Sequence, residues 1–277
     1  MFQYAHPEVL VDTQWLALNL NNPNVRIVEV DMSPEVYQQA HIPGAVFWNL
    51  LTDLLQPDRR INFNPTTMEK ILSNSGITPN TTIVAYGSYP GIGAWIFWLL
   101  NVFGHQNIRV LNGGYQKWKA EGYPVTTECS NFTPTQYKVQ TIDNSLRAFK
   151  QDVKAFIRQK NSVLLDVRTA QEYGGEWFFD RPPEATEIAG HIPSAVHIEH
   201  LLAFQADGTF KPVNELQALY ESQGITVNQN VITYCAIGAR SGCIWFILKY
   251  LLGYQNVRNY DGSWNEWSKI YELEFEK

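Results

Sequence analysis

Asn230-Val231-Ile232-Thr233-Tyr234-Cys235-Ala236-Ile237-Gly238-Ala239-Arg240-Ser241 runs directly into Gly242-Cys243-Ile244-Trp245-Phe246-Ile247-Leu248. The opening residues are apolar and β-branched and predict a buried strand, and the closing ones predict a buried helix. Between the two, a thiol stands where the strand ends, followed by one glycine, an arginine and the start of the helix. Backbone N–H groups of such a loop converge on one concavity, and the helix N-terminus adds positive potential. Both effects favour a thiolate, which is the nucleophilic form of cysteine. Arg240 adds a permanent charge whose fork suits oxyanions. The competing reading is a cysteine that only packs at a strand end, since free Cys is among the most buried residue types.

The rest of the chain decides between them, because the same order of segments occurs twice. Residues 77–86 and 225–234 both begin Ile-Thr and end on Tyr before a glycine-containing loop. His41-Ile42-Pro43-Gly44-Ala45 returns as His191-Ile192-Pro193-Ser194-Ala195, and Val36-Tyr37 as Glu172-Tyr173. Gly104-His105-Gln106-Asn107-Ile108-Arg109 returns as Gly253-Tyr254-Gln255-Asn256-Val257-Arg258. Asn112-Gly113-Gly114-Tyr115-Gln116-Lys117-Trp118 returns as Asp261-Gly262-Ser263-Trp264-Asn265-Glu266-Trp267. A chain with two long copies of one unit is a pair of globular domains, not a solenoid. Strands alternating with helical patterns predict an α/β fold, each domain a mostly parallel sheet with helices on both faces. The expected divisions are residues 1–122, a Pro-, Thr- and Asn-rich linker at 123–142, and residues 143–277. In open sheets of this kind sites form outside the carboxyl ends of the strands, where Cys235 falls.

Composition narrows the function classes. With 277 residues, 45% of them apolar, the chain has material for two cores and is not of disordered composition. A net charge of −6 without any Lys/Arg run argues against nucleic acid or an anionic membrane as the partner. Three cysteines, Cys129, Cys235 and Cys243, are too few for a disulfide framework and fit a reducing, cytoplasmic setting with free thiols. The start, MFQYAHPEVLV, has no basic n-region or apolar core, so no signal peptide is expected. The longest apolar runs are interrupted by Asn101 and Lys249 and fall short of the roughly 20 residues of a membrane span.

The two copies act as an internal control. Opposite Cys235-Ala236-Ile237-Gly238-Ala239-Arg240 the first copy has Gly87-Ser88-Tyr89-Pro90-Gly91-Ile92, with neither thiol nor arginine and with a loop expected to be one residue shorter. A core-filling cysteine would have an apolar counterpart of similar size. Chemistry is therefore assigned to the second copy and support to the first. Residues 174–188, with Trp177, Phe178, Phe179, Arg181 and Glu184, are present only in the second copy and read either as a pocket wall or as a surface excursion.

The duplicated unit, the His-Ile-Pro-Gly-Ala turn, the strand–Cys–loop–Arg–helix and the closing Tyr260-Asp261-Gly262-Ser263-Trp264-Asn265-Glu266-Trp267 resemble the two-domain rhodaneses, or thiosulfate sulfurtransferases, over essentially the whole chain. The resemblance implies two rhodanese-like domains, the first inactive and the second catalytic. It implies that Cys235 cycles through a persulfide and that Arg168, directly after Asp166-Val167, helps hold an anionic donor. Thiosulfate-specific members carry a basic residue after the cysteine, where this chain has Ala236. Mercaptopyruvate-using relatives lack an arginine at the loop's end, where this chain keeps Arg240 and Ser241. The expected donor is thiosulfate, with 3-mercaptopyruvate as the alternative. The expected acceptor is cyanide, a thiol or a carrier protein.

On this reading Arg240 and Arg168 hold the sulfonate while Cys235 attacks the outer sulfur, and the loop Ala236, Ile237, Gly238, Ala239 and Ser241 cradles the product. No metal or organic cofactor is required, and the fused copies make a monomer sufficient. Cysteine phosphatases and arsenate reductases ring a tetrahedral phosphate with a loop one residue longer than Ala236-Ile237-Gly238-Ala239. A non-catalytic binding module is the other alternative, against which the retained Cys235 and Arg240 argue. His191, His197 and His200 match no closed zinc set and read as turn or surface residues, and Cys243 reads as core.

Overall fold

In the computed structural model, which describes residues 3–270 and 273–277, the chain divides into two compact units. One contains Pro7–Asp143 and Phe204–Lys211, the other Asn144–Ala203, Pro212–Lys277 and the residues up to His6.

The first unit has strands β1 (Leu10–Val11), β2 (Val25–Asp31), β3 (Ala45–Asn49), β4 (Thr82–Tyr86) and β5 (Ile108–Leu111), in the order β1-β5-β4-β2-β3. The second has β6 (Arg147–Ala148), β7 (Ser162–Asp166), β8 (Val196–His197), β9 (Asn230–Tyr234) and β10 (Val257–Tyr260), in the order β6-β10-β9-β7-β8. Every pairing is parallel, and the two orders are the same. The registers match as well: Glu29 lies opposite Tyr86 and Asp166 opposite Tyr234. Duplication at the level of sequence is thus duplication of a five-stranded α/β sheet.

The strands form where expected because their residues are β-branched and bury both faces. Val231, Ile232, Thr233 and Tyr234 are each at most 1% exposed. Behind β4, helix Ile92–Val102 is buried at every position but Asn101, which makes it a core helix rather than an amphipathic one. Among the described residues no helix is long and apolar enough to cross a membrane.

The His-Ile-Pro turns serve the same purpose in both units. His41 stacks on Tyr37 at 3.7 Å and donates from Nδ1 to the Tyr37 carbonyl, and His191 stacks on Tyr173 at 3.7 Å and donates to the Tyr173 carbonyl. The following N–H groups of Ile42 and Ile192 donate to Tyr86 Oη and Tyr234 Oη. These histidines lock turns, which explains their recurrence without any chemistry.

One expectation about length needs correction. In the first unit Gly87-Ser88-Tyr89-Pro90 precede the left-handed Gly91 that opens the helix (φ 85°). In the second only Cys235-Ala236-Ile237 precede the left-handed Gly238 (φ 92°). The first-copy loop is therefore longer, not shorter. The extra length of the second copy lies downstream, where helix Ala239–Phe246 widens into the π turn Ile247–Leu251. The Tyr250 and Leu251 carbonyls at that turn accept from the N–H groups of His6 and Ala5, each at 2.9 Å. This ties the start of the chain into the second unit.

The segment Phe204–Lys211, from within the second repeat, belongs to the first unit. Phe204 bridges Phe210, the Phe210 N–H donates to Asn112 Oδ1 at 3.0 Å, and Asp207 meets Lys117 Nζ at 2.9 Å. Residues 123–142 also pack on the first unit. His41 pairs with Thr126, and the Tyr137 N–H donates to Ser73 Oγ.

Candidate active site

Cys235 follows β9 directly and is fully buried, and its sulfur has polar partners. Sγ accepts from the Gly238 N–H at 3.2 Å and from Ser241 Oγ at 3.5 Å. The left-handed Gly238 turns the chain so that its own N–H points back at the sulfur, a backbone geometry that disfavours any other residue. Helix Ala239–Phe246 begins immediately afterwards, adding its N-terminal potential.

The loop is held from several sides. The Cys235 N–H donates to Ser263 Oγ, which itself donates to the Tyr260 carbonyl. The carbonyls of Cys235 and Ala236 accept from the N–H groups of Trp264 and Asn265, at 3.0 and 2.9 Å. Asn259 Nδ2 donates to the Gly238 carbonyl and Thr233 Oγ1 to the Ser241 carbonyl, both at 3.0 Å. The closing Ser263-Trp264-Asn265 segment is thus the clamp of the cysteine loop. Ile237, Ala239 and Arg240 are the loop's half-buried members, while Ala236 and Ser241 are buried.

Both arginines meet carboxylates. Arg240 donates from Nη1 and Nη2 to the two oxygens of Glu172, each at 2.7 Å. Glu172 is 2% exposed and is also the capping-box residue of Thr169. Arg168 is 1% exposed and forks onto Asp166, with Nη2 also donating to the Gly190 carbonyl at 2.7 Å. Its guanidinium lies 4.8 Å from the Trp264 ring centre. Burial works against the Arg168 charge, but the Asp166 carboxylate outweighs it and holds the group cationic. Arg168 therefore directs its Nε and Nη2 donors at protein acceptors. Asp166, itself fully buried, is the counter-charge of Arg168.

Three features are not evident from sequence alone. Glu172 shares a capping-box pattern, Thr169-Ala170-Gln171-Glu172, that forecasts a helix start but not an arginine partner 68 positions away. Ser263 and Asn265 lie in the resemblance motif without an assigned role. His200 is buried, and burial together with the Arg240 charge holds its imidazole down to about 3, so it is neutral near pH 7. Cys243 lies in the helix core with its thiol pushed up by burial. In residues 174–188, Phe178 packs into the second unit's core, Arg181 forks onto Glu187, and Trp177 is 41% exposed. Among the described residues no three His, Cys, Asp or Glu side chains gather as a metal site.

The corresponding place in the first unit is built differently. By register Glu29 stands for Asp166 and, two residues on, Asp31 for Arg168. Tyr86 Oη donates to Glu29, and Asp31 accepts from the Ser88 N–H and Ser88 Oγ. Burial, with Asp31 nearby, pushes the Glu29 carboxyl up to about 7. The native state then holds a proton that the unfolded chain has already released. Glu29 costs stability in full above pH 7, and the cost fades as pH falls toward about 4.5. Glu29→Gln should therefore stabilise by about 2–3 kcal/mol at pH 8 and by nearly nothing at pH 4.5. Chemical denaturation at both pH values would reveal this, and an equal effect at both would refute it.

Gly87, opposite Cys235, has no room for a side chain: a Cβ there would lie 2.3 Å from the Val30 carbonyl oxygen and 2.4 Å from Ile92 Cγ2. Gly87→Cys should consequently lower the melting temperature, and an unchanged melting temperature would contradict this.

The two units thus share one parallel α/β sheet, and only the second carries a thiol at the end of its central strand. A rhodanese-like domain model matches residues 12–121 and again 149–270, and the chain belongs to the rhodanese family. It is 44% identical over 273 residues to the sulfur carrier protein TtuD of Thermus thermophilus, covering 96% of each chain. It is 39% identical over 275 residues to a Saccharopolyspora erythraea protein named "Putative thiosulfate sulfurtransferase", covering 98% of this chain and 97% of the relative. Among solved structures, EanB carrying a cysteine persulfide, with ergothioneine in a tetrahedral intermediate state, aligns with TM-score 0.87 at 25% identity over 100% of this chain and 72% of its own.

Proposed function

We propose that this rhodanese-family sulfurtransferase moves a sulfane sulfur from thiosulfate to a thiophilic acceptor through a persulfide on Cys235. The Cys235 thiolate attacks the outer sulfur of thiosulfate, the S–S bond of the donor breaks, and sulfite leaves with its electron pair. The new Cys-S-S⁻ is anionic, and the Gly238 N–H and Ser241 hydroxyl that reach Sγ, together with the helix start, stabilise it. Cyanide, a thiol or a carrier protein then takes this sulfur and regenerates the thiolate, giving ping-pong kinetics. No redox partner is consumed, because sulfur(0) passes from one nucleophile to the next.

The observation that carries this reading is the pair of donors on Cys235 Sγ, at 3.2 and 3.5 Å. A purely packing cysteine would have no need of either. The four-residue spacing to Arg240 favours a single sulfur atom over a tetrahedral phosphate as the guest. The first unit, with Gly87 at the equivalent position, serves as a catalytically silent partner domain. The relative named a sulfur carrier supports a protein or thiol, rather than cyanide, as the acceptor in the cell.

Mass spectrometry after incubation with thiosulfate, and separately with 3-mercaptopyruvate, tests class and donor together. One added sulfur on the Cys235 peptide with thiosulfate is the expected result. Addition only from mercaptopyruvate would replace the donor. No addition from either would return the chain to a binding role.

A further inference from the structure

Glu172 grips Arg240 with both carboxylate oxygens at 2.7 Å, and Glu172 is itself fastened: Oε2 also accepts from the Thr169 N–H and Oγ1, at 3.0 and 3.1 Å. An exposed ion pair of this kind would matter little. Here the carboxylate is 2% exposed, so water screens its charge poorly. His200 adds no compensating charge, being neutral at neutral pH. At the second arginine, Asp166 cancels Arg168 in the same way. Each guanidinium of the site is therefore matched by a buried carboxylate. Thiosulfate is a dianion, and a site recognising it by net charge would leave Arg240 unmatched.

We propose that Glu172 is a specificity-determining positioning residue: it fixes Arg240 at the loop's end and cancels its charge, so that donors are selected by shape and hydrogen bonding rather than by net negative charge. The proposal rests on the persulfide reading above. It implies that sulfur delivered on a thiol carrier competes well with thiosulfate.

The wild-type protein supplies one test. Its KM for thiosulfate should change by less than about twofold between roughly 0.02 and 0.2 M salt, because matched charges leave little to screen. A steep rise of KM with salt would overturn the proposal. Glu172→Gln keeps the shape and removes the charge. It should lower KM for thiosulfate about tenfold at low salt with kcat held within about twofold, and the gain should shrink as salt is added. Glu172→Asp keeps the charge and should show no such fall. A purely structural Glu172 would instead make the Gln variant lose kcat without any fall in KM, which would overturn the proposal. Added sulfur on Cys235 with an unchanged KM in Glu172→Gln would sink this inference alone. Absence of added sulfur in the wild type with any donor would sink the persulfide reading and the inference together.

Discussion

Replacing Cys235 by serine should reduce sulfur transfer from thiosulfate to cyanide more than about a thousandfold, with the fold and melting temperature retained. The serine oxygen can accept the Gly238 N–H that now reaches Sγ, so the loop keeps its partner. The clamps on the Cys235 N–H and carbonyl involve only the main chain of that residue and survive the change. An alkoxide-type nucleophile, however, does not hold a sulfane sulfur, and Cys243, the other thiol of this unit, is 1% exposed and raised by burial. Cys243→Ser should accordingly leave the rate unchanged within about twofold, although the buried hydroxyl will cost some stability. Measuring thiocyanate formation in both variants separates nucleophile from bystander. Full activity in Cys235→Ser would remove the basis of the proposed function.

Two copies in one order make paired α/β domains with mostly parallel sheets legible in the sequence, whereas the strand order within each sheet is not. The apolar run before Cys235 and the glycine after it placed the thiol at a strand end beside a helix start. What stayed hidden was long-range. Local pattern cannot tell that Glu172, while capping its own helix, also grips Arg240, since nothing in sequence brings the two together. Counting residues between landmarks misplaced the length difference of the two loops. The landmarks enclose both the turn and the helix, and the π turn Ile247–Leu251 absorbs length that the count assigned to the loop. The resemblance assigns Arg168 a role in holding the donor, and its contacts with the Trp264 ring and the Gly190 carbonyl, both distant in the chain, are what sequence does not reveal.

That placement of Arg168 has a large energetic consequence. Asp166→Asn should destabilise the second unit by about 3–5 kcal/mol, because it leaves a guanidinium that is 1% exposed without its counter-charge. Arginine cannot escape by losing its proton at accessible pH, unlike a buried lysine or histidine. The Gly190 carbonyl and the Trp264 ring face offer dipoles and a quadrupole, which replace only part of a full charge. The double variant Asp166→Leu/Arg168→Met should recover part of the loss, since removing both charges also removes their desolvation cost. Its residual deficit is the Gly190 carbonyl and the residue-168 N–H that lose their partners, about 1–3 kcal/mol each. Urea denaturation of the wild type and the two variants measures all of these terms. The same double variant also decides what Arg168 does in turnover. If the residue supports the loop, KM for thiosulfate in the double variant should stay within a few-fold of wild type. If it grips the donor's sulfonate, KM should rise by roughly ten- to a hundredfold, the loss expected for a charged hydrogen bond. Equal destabilisation by the single and double variants would show that the buried pair is not what holds this part of the sheet.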